Sequence, residues 1–291
     1  MSNPLPALSR NGTLMTPEGG PPGAWWSLTK PVLAVAMLKL AEQGRIDLDA
    51  SYEAHPFTFL QLLANTSGVP NYTDLPAYRA DVAAGVAPWT DADLLTETGL
   101  TPRFPPGTAW AYSNTGFMLI RQTIERIMDR RIDEAIASLL FAPMGIADTR
   151  IAHAPEDMAA CAWAGDRAYH PGWVYHRMAV GPASDAVRFL DSVFQGGFLS
   201  AAGRARLTQR TELGPGPKGR PWRTAAYGLG LMAGEMQAGR AFGHSGVGPY
   251  SVSAAYHFPD RPDRPTACAF GPGADETEVE WQVVRAAYSP D

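Results

Sequence analysis

Lysine is scarce in this sequence, and so are cysteine and clustered histidine. Only three of the 24 basic residues are lysines, Lys30, Lys39 and Lys218. The two cysteines, Cys161 and Cys268, lie far apart with no redox or metal spacing, which argues against a disulfide scaffold or a zinc site. We expect both to be small buried residues. The six histidines form no H-E-x-x-H pattern, so we expect no metal and no cofactor.

Three further absences restrict the class of protein. The net charge is -5 and no run of basic residues occurs, so nucleic acid is not an expected partner. No apolar stretch approaches the length that spans a membrane. The first residues also lack the charged start and apolar run of a signal peptide. The sequence therefore predicts a cytoplasmic protein without a membrane partner and leaves its oligomeric state open.

The most apolar segment is "WWSLTKPVLAVAMLKLAEQGRIDLD", residues 25–49. Its apolar residues cover most of a helix circumference, which indicates a buried helix that ends at Gly44. Pro31 offers no N–H to the Ser27 carbonyl, and this is tolerated only where Ser27 lies at the very start of the helix. Ser27 and Lys30 then share one face. Because burying an amine costs free energy, Lys30 either extends to the surface or serves a function.

The rest of the chain divides by its periodicity. Residues 50 to about 160 are typical of helices separated by Gly and Pro, and an irregular aromatic stretch follows at 161–182. From Ala226 onward, short strands alternate with turn residues, as in an antiparallel meander, and a helix with an acidic start closes the chain. The pattern predicts an α+β fold, with an antiparallel sheet flanked by helices and an all-helical subdomain.

Three short stretches combine residues that can carry chemistry. They are "SLTK" at 27–30, "YSN" at 112–114 and "GHSGVG" at 243–248. Together with the phrases "LLANTSGVP", "FPPGTAWAYSN" and "LFAPMGIADT", they resemble the β-lactamase and penicillin-binding-protein superfamily of serine hydrolases. The resemblance is greatest to the branch that contains class C β-lactamases, DD-peptidases and related esterases. It extends over roughly residues 25–271.

This resemblance implies a β-lactamase/transpeptidase-like fold. Residues 1–49 and 175–291 are expected to form the sheet and its flanking helices. Residues 50–174 are expected to form the mainly helical subdomain, with the active site between the two parts of a single structural unit. The family usually has a helix and strands before the nucleophile, whereas only 26 residues precede Ser27. The sheet therefore either lacks a strand or two or is trimmed at its edge.

Ser27 is the predicted nucleophile of an acyl-enzyme. A serine hydroxyl is a weak nucleophile and needs a neighbouring base. Lys30, if it is desolvated on the same helix face, can be neutral enough to take the proton. The resemblance gives Tyr112 a role as base and later as acid, and the division of work between Lys30 and Tyr112 stays open at this stage. Asn114 is expected to hydrogen-bond both Lys30 and a substrate amide.

The third stretch is expected to bind the substrate and its oxyanion. The resemblance assigns the oxyanion donors to the backbone N–H groups of Ser27 and Val247, with Ser245 in the same substrate-binding strand. Gly246 is expected to leave room for a substrate along the strand edge. His244 stands where many β-lactamases carry a lysine, and a neutral histidine attracts a substrate carboxylate less than an ammonium does.

These residues predict a serine hydrolase acting on a small-molecule ester, amide or β-lactam. Esterase-like activity is preferred because of His244 and the absence of a signal peptide. A true β-lactamase, or a DD-peptidase or D-amino-acid peptidase, is the alternative. A non-catalytic ligand-binding relative is a third reading, against which the joint presence of Ser27, Lys30, Tyr112 and Asn114 argues.

The irregular stretch at 161–182 allows two interpretations. Its aromatic side chains either pack a loop or form a wall over the acyl pocket, and both readings stay open. The four side chains concerned are Trp163, Tyr169, Trp173 and Tyr175.

Overall fold

The protein is described by a computed structural model that covers residues 5–164 and 169–288. Within these ranges, eight strands form one antiparallel sheet and three form a smaller one. In chain order the strands are β1 (Leu5–Arg10), β2 (Thr13–Leu14), β3 (Gly23–Ala24), β4 (Arg150–Ala152), β5 (Met178–Gly181), β6 (Thr211–Pro215), β7 (Trp222–Tyr227), β8 (Met232–Met236), β9 (Gly239–Val247), β10 (Ser251–His257) and β11 (Thr266–Pro272). The large sheet has the order β2-β1-β11-β10-β9-β8-β7-β6, and the small one has the order β3-β5-β4.

Ten α-helices lie within the described ranges. They are α1 (Thr29–Glu42), α2 (Phe59–Leu63), α3 (Pro76–Ala84), α4 (Asp91–Thr98), α5 (Asn114–Met128), α6 (Ile132–Ile136), α7 (Pro155–Ala159), α8 (Ala183–Phe194), α9 (Ala201–Thr208) and α10 (Thr277–Tyr288). Successive strand residues point to opposite faces, which explains how β10 can be buried along its whole length. Ala254 packs with α10, whereas its neighbour Ala255 packs with α8 and α1.

The α+β prediction is confirmed, including the antiparallel meander from β7 to β11. The stretch "AYGLGLMAGE" contains the end of β7, a turn and β8 rather than one strand, and β6 was not predicted. The short N-terminal region still supplies strands. β1 pairs with β11 and β2 with β1, so these residues extend the sheet beyond β11.

The segment 50–174 contains α2 to α7 and also contributes β4, which pairs with β5. The proposed division of the chain at residues 49 and 175 stays a prediction. Both cysteines are buried and free, as the sequence indicated. Helix α1 is buried around nearly its whole circumference, because it lies between the large sheet and α5, α6 and α9.

Candidate active site

Ser27 lies in a single 3-10 turn, Trp26–Leu28, directly before α1. The turn is fixed to β10, since Ser253 Oγ donates to the Trp25 carbonyl at 2.8 Å and Trp26 Nε1 donates to Ser251 Oγ at 3.1 Å. Trp26 has a positive φ of 47°, a conformation that costs free energy for a residue with a side chain and occurs where surrounding contacts enforce it. These contacts hold the Ser27 hydroxyl in a defined position at the start of the helix.

Lys30 and Tyr112 each bring a polar atom within hydrogen-bonding distance of Ser27 Oγ. Lys30 Nζ lies 3.0 Å from Ser27 Oγ, and Tyr112 Oη donates to the same oxygen at 3.0 Å. Lys30 is 0% exposed, so its side chain does not extend to the surface. Its Nζ also lies 4.9 Å from the centre of the Tyr112 ring. The serine hydroxyl is thus held between an amine and a phenol.

Burial shifts the pKa values of these two groups in opposite directions. Desolvation lowers the pKa of Lys30 well below its usual value. Desolvation raises the pKa of Tyr112, and the charge of Glu276 adds to that rise, while the hydrogen bond to Ser27 opposes it. Burial favours the uncharged form of each group. Burial therefore makes Lys30 more ready to release and accept a proton than an exposed lysine, and it keeps the proton on the Tyr112 phenol.

His176 is a neighbour of the amine that the sequence did not indicate. Its Nε2 lies 3.3 Å from Lys30 Nζ, and the side chain is 2% exposed. Burial lowers the pKa of His176, and Lys30 lowers it further. The imidazole is therefore neutral beside the amine. No local pattern in the stretch around residue 176 could have revealed this contact, because it joins residues 146 positions apart.

Asn114 lies at the start of α5 and takes a different partner from the predicted one. Its backbone N–H donates to Asn71 Oδ1 at 3.0 Å, and its Nδ2 donates to the same oxygen at 3.2 Å. The predicted hydrogen bond to Lys30 is not formed among the described residues, because the Asn114 amide is held by Asn71. Asn114 does line a cavity that Ser27 also borders, so contact with a substrate is sterically open.

Strand β9 packs against the turn that carries Ser27, and this explains Gly246. A Cβ at position 246 would lie 2.7 Å from Trp26 Cβ and closer still to the Trp25 carbonyl oxygen. The missing side chain allows β9 to approach the turn that carries Ser27. That Gly246 also makes room for a substrate stays a prediction. Val247, the next residue, is 44% exposed and borders two cavities beside Ser27.

His244 is buried and uncharged. It is 3% exposed, and burial followed by the neighbouring Lys30 lowers its pKa to about 3. Its Nδ1 contacts the Ser245 carbonyl oxygen and its Nε2 lies 3.2 Å from Tyr227 Oη. Since a carbonyl only accepts, the ring proton lies on Nδ1 and Tyr227 donates to Nε2.

A cavity of about 380 Å³ opens beside Ser27. Most of its wall is aromatic or apolar, with lining side chains that include Trp110, Tyr112, Trp222, Tyr227 and Met232. Apolar walls with a few polar groups are typical of sites for small organic ligands. A second cavity of about 290 Å³ borders Ser27 on the side of Asn114 and His176.

The charged groups of the larger cavity are already paired with one another. Arg220 Nη1 donates to Glu276 at 2.6 Å and Arg220 Nε donates to Glu280 at 2.7 Å. Arg220 Nη2 also lies 3.3 Å from Ser245 Oγ. One guanidinium thus faces two carboxylates. No local sequence pattern could reveal this group, because Arg220 lies 56 and 60 positions from its two partners.

The four aromatic residues of the irregular stretch separate into two groups. Trp173 and Tyr175 are buried in a cluster with Tyr72 and Tyr78, and Trp163 packs against the main core. These three fit the loop-packing interpretation. Tyr169 lines the smaller cavity beside Ser27 and contacts the edge of Trp26. The residues between Trp163 and Tyr169 fall partly outside the described residues.

The described parts of the chain were also compared with what a metal site and a membrane-spanning helix require, and they meet neither requirement. Residues 5–164 and 169–288 contain no group of three or more His, Cys, Asp or Glu side chains that could hold a metal ion. In the same ranges, every helix is too short or too polar to cross a membrane.

An antiparallel sheet flanked by helices, with a serine directly before a buried helix and a lysine three residues later, is the arrangement expected of a β-lactamase/transpeptidase-like fold. The chain belongs to the β-lactamase family, because the family model described as Beta-lactamase matches residues 22–270. The fold and the family agree with the resemblance seen in the sequence.

Sequence similarity to individual proteins extends this comparison. The chain is 25% identical to penicillin-binding protein 4* of Bacillus subtilis (strain 168), over 90% of this chain and 63% of that protein. It is 33% identical over 89 residues to a D-aminopeptidase of Cereibacter sphaeroides (strain ATCC 17023), which is 31% of this chain and 17% of that protein. The chain thus spans less than two thirds of the length of these relatives.

Solved structures share the fold over nearly the whole chain. A D-stereospecific amidohydrolase from Streptomyces sp. matches with a TM-score of 0.81 and 24% identity, over 98% of this chain and 93% of that one. D-amino acid amidase from Ochrobactrum anthropi SV3, complexed with L-phenylalanine, matches with a TM-score of 0.78 and 20% identity, over 97% and 90%. At these identities the similarity shows the fold alone.

Proposed function

We propose that this protein hydrolyses a small uncharged ester or amide through an acyl-enzyme on Ser27. The observation that supports this most directly is the position of Ser27 Oγ, 3.0 Å from both Lys30 Nζ and Tyr112 Oη. Acyl transfer requires a nucleophile, a group that accepts its proton and a group that protonates the leaving atom. The Ser27 oxygen, the Lys30 amine and the Tyr112 phenol can supply these three functions. The aromatic cavity beside Ser27 provides the space for an acyl group.

The proposed reaction assigns one role to each group. Lys30 takes the hydroxyl proton as Ser27 Oγ attacks the substrate carbonyl carbon. The backbone N–H groups of Ser27 and Val247 donate to the developing oxyanion. When the bond to the leaving group breaks, Tyr112 protonates the leaving oxygen or nitrogen and regains a proton from the Lys30 ammonium. Water then repeats the attack on the ester with Lys30 as base, which releases the acid and restores Ser27.

The charge of the cavity favours an uncharged substrate over one that carries a carboxylate. His244 is neutral because its pKa is lowered to about 3. Arg220 is paired with Glu276 and Glu280. Penicillins and DD-peptides carry a carboxylate, which would meet no unpaired cation among the described residues lining this cavity. This supports esterase or amidase activity over a dedicated β-lactamase or DD-peptidase.

Mass spectrometry after treatment with two probes tests the proposal. A fluorophosphonate should add its mass to the peptide that contains Ser27, because it mimics an uncharged ester and needs only the nucleophile and its base. Benzylpenicillin at the same concentration should form its adduct at least about tenfold more slowly. A fluorophosphonate adduct on another residue would refute Ser27 as nucleophile. A faster penicillin adduct would favour the β-lactamase or DD-peptidase alternative.

A D-amino-acid amide is the second candidate substrate, and Glu276 is the observation that favours it. Its carboxylate lines the same cavity as Ser27, and with Glu280 it outnumbers the single Arg220. An α-ammonium group would find there the negative charge that it needs. Two similarly folded proteins are named a D-stereospecific amidohydrolase and a D-amino acid amidase, which is compatible with such a substrate in this fold.

Glu276→Gln should lower the ratio of kcat/KM for D-phenylalanine amide to kcat/KM for p-nitrophenyl acetate. We expect a decrease of about tenfold, because one charged hydrogen bond to the ammonium is worth on the order of 1.5 kcal/mol. The matched control is Glu278→Gln, since Glu278 is exposed and paired with Arg285 outside the cavity. An unchanged ratio in the Glu276 variant would remove the ammonium from the proposal and leave the neutral substrate.

A further inference from the structure

The lysine next to the nucleophile has two polar hydrogen-bonding neighbours and no carboxylate partner among the described residues. Lys30 Nζ lies 3.0 Å from Ser27 Oγ and 3.3 Å from His176 Nε2. Both Lys30 and His176 are almost completely buried. The amine also lies over the rings of Tyr112 and Phe117, at 4.9 Å and 5.5 Å from their centres. The imidazole is therefore the second polar partner of the amine, besides Ser27.

A neutral amine works as a base only if its lone pair points at the proton it takes. The amine of Lys30 has two N–H bonds and one lone pair, and it can rotate about the Cε–Nζ bond. A hydrogen bond from one N–H to His176 Nε2 fixes this rotation and leaves the lone pair free to face Ser27. His176 must then carry its own proton on Nδ1, because Nε2 has to accept.

We propose that His176 is a positioning residue for the base: it accepts a hydrogen bond from Lys30, directs the amine lone pair toward Ser27 and then stabilises the ammonium that forms. This inference rests on the proposed roles of Ser27 and Lys30. It concerns the rate of proton removal rather than substrate binding. The atoms balance without any additional reactant, since the proton passes from Ser27 Oγ to Lys30 Nζ and the imidazole keeps its own.

The surroundings of His176 keep it neutral and able to accept. Besides burial, four basic groups lower the pKa of His176, namely Lys30 and His244, which act whenever they carry a proton, and the guanidinium groups of Arg121 and Arg177. They come from α1, β9, α5 and the residue that follows His176 itself. Tyr112 faces the same amine as a neutral phenol, because burial raises its pKa. Burial and the four basic groups disfavour a positive imidazole, so the neutral ring keeps one lone pair, which the proposal places on Nε2, beside the amine. Nδ1, which then carries the ring proton, has no hydrogen-bond partner among the described residues.

Two amide variants of equal chemistry but different reach test the proposal. In His176→Gln, the side-chain oxygen can occupy the position of Nε2 and accept from Lys30. In His176→Asn, the shorter side chain ends near the position of Nδ1 and cannot reach. We expect kcat for p-nitrophenyl acetate to fall about 100-fold in the Asn variant, as for outer partners that orient a reactive group, and to stay within about threefold in the Gln variant. KM should change less than about twofold in both.

The pH profile separates positioning from a general loss of packing. The rate should rise with pH as the Lys30 ammonium loses its proton. An acceptor at 3.3 Å stabilises that ammonium, so its removal should lower the pKa of Lys30 further and move the acid limb of the profile to lower pH in the Asn variant. The Gln variant should restore the limb. A packing defect alone would lower the rate equally at every pH and would affect Asn and Gln alike.

The rate of fluorophosphonate labelling at Ser27 distinguishes failure of this inference from failure of the proposed function. If the unchanged protein is not labelled at Ser27, the proposed function fails and takes the inference with it. If it is labelled, and the Asn and Gln variants are labelled equally fast with the same acid limb, the positioning role is overturned while the function stands. His176→Leu extends the test, since it should behave as Asn does. Should Leu prevent folding, the Asn and Gln pair still decides.

Discussion

Ser27→Ala should lower kcat/KM for p-nitrophenyl acetate by a factor on the order of 10⁴ or more, because removal of the nucleophile from an acyl-enzyme mechanism removes the whole covalent pathway. The fold should be retained. The hydroxyl is a small group at the start of α1, and its loss leaves Lys30 and Tyr112 each without one hydrogen bond. We expect the free energy of unfolding to change by about 1–2 kcal/mol. Steady-state kinetics and thermal unfolding measure the two effects separately.

Ser192→Ala is the matched control for this substitution. Ser192 lies in α8, and its Oγ donates to the Arg188 carbonyl at 2.8 Å, away from the cavities beside Ser27. The variant removes the same hydroxyl group and should keep wild-type kinetics. Turnover by Ser27→Ala that equals the wild-type rate would show that another residue is the nucleophile.

The position of Ser27 and Lys30 could be predicted because the relevant signals are local. Burial of α1 follows from its apolar composition, and Pro31 limits where the helix can begin. The i, i+3 spacing then brings the serine and lysine side chains to one face, as the 3.0 Å distance shows. The catalytic roles of these residues remain a proposal, whereas their proximity is observed.

The partners of the site could not be predicted because they are joined by the tertiary fold alone. His176 reaches Lys30 across 146 residues, and Arg220 reaches Glu280 across 60. The sequence around each of these residues resembles an ordinary loop or helix. Only the packing of β5 and its preceding loop against α1 and the packing of α10 on the sheet bring such groups together.

Gly246 and Asn114 lie at the site, but the contacts they make there could not be predicted. A glycine beside a substrate strand fits both an open cleft and a close backbone contact, and the structure has the close approach to Trp25 and Trp26. An asparagine near a lysine fits a hydrogen bond to the amine, whereas the Asn114 amide donates to Asn71 Oδ1. Residue type restricts the possible partners of a side chain, and the fold selects among them.

Lys30→Met should remove most of the activity, and its stability relative to the wild type should depend on pH. Methionine has a similar length and shape but no amine, so Ser27 loses its proposed base. General-base catalysis typically contributes 10²–10⁴-fold, and we expect kcat/KM to fall about 10³-fold or more. The lost hydrogen bonds to Ser27 and His176 destabilise the variant by about 1 kcal/mol each. Removal of a buried amine acts in the opposite direction.

The pH dependence separates these two contributions to stability. Burial lowers the pKa of Lys30 well below 10.5, the value expected for the unfolded chain. Between the folded and unfolded pKa values, the unfolded chain binds a proton that the folded protein does not. The wild type therefore loses stability as pH falls below about 10.5, relative to a variant that lacks the amine. The lost hydrogen bonds involve neutral groups and add a difference that does not vary over this range.

The melting temperature of Lys30→Met minus that of the wild type should thus be greatest near pH 7 and decrease steadily toward pH 10. The other ionisable groups are common to both proteins, so their contributions cancel in the difference. Lys39→Met is the matched control on the same helix. Lys39 is partly exposed and paired with Glu42 at 3.5 Å, so its loss should spare the activity and give no such decrease. A difference that grows with pH for Lys30→Met would mean that the amine is charged in the folded protein. A free-amine base at Ser27 would then be untenable, and Tyr112 would have to take the proton instead.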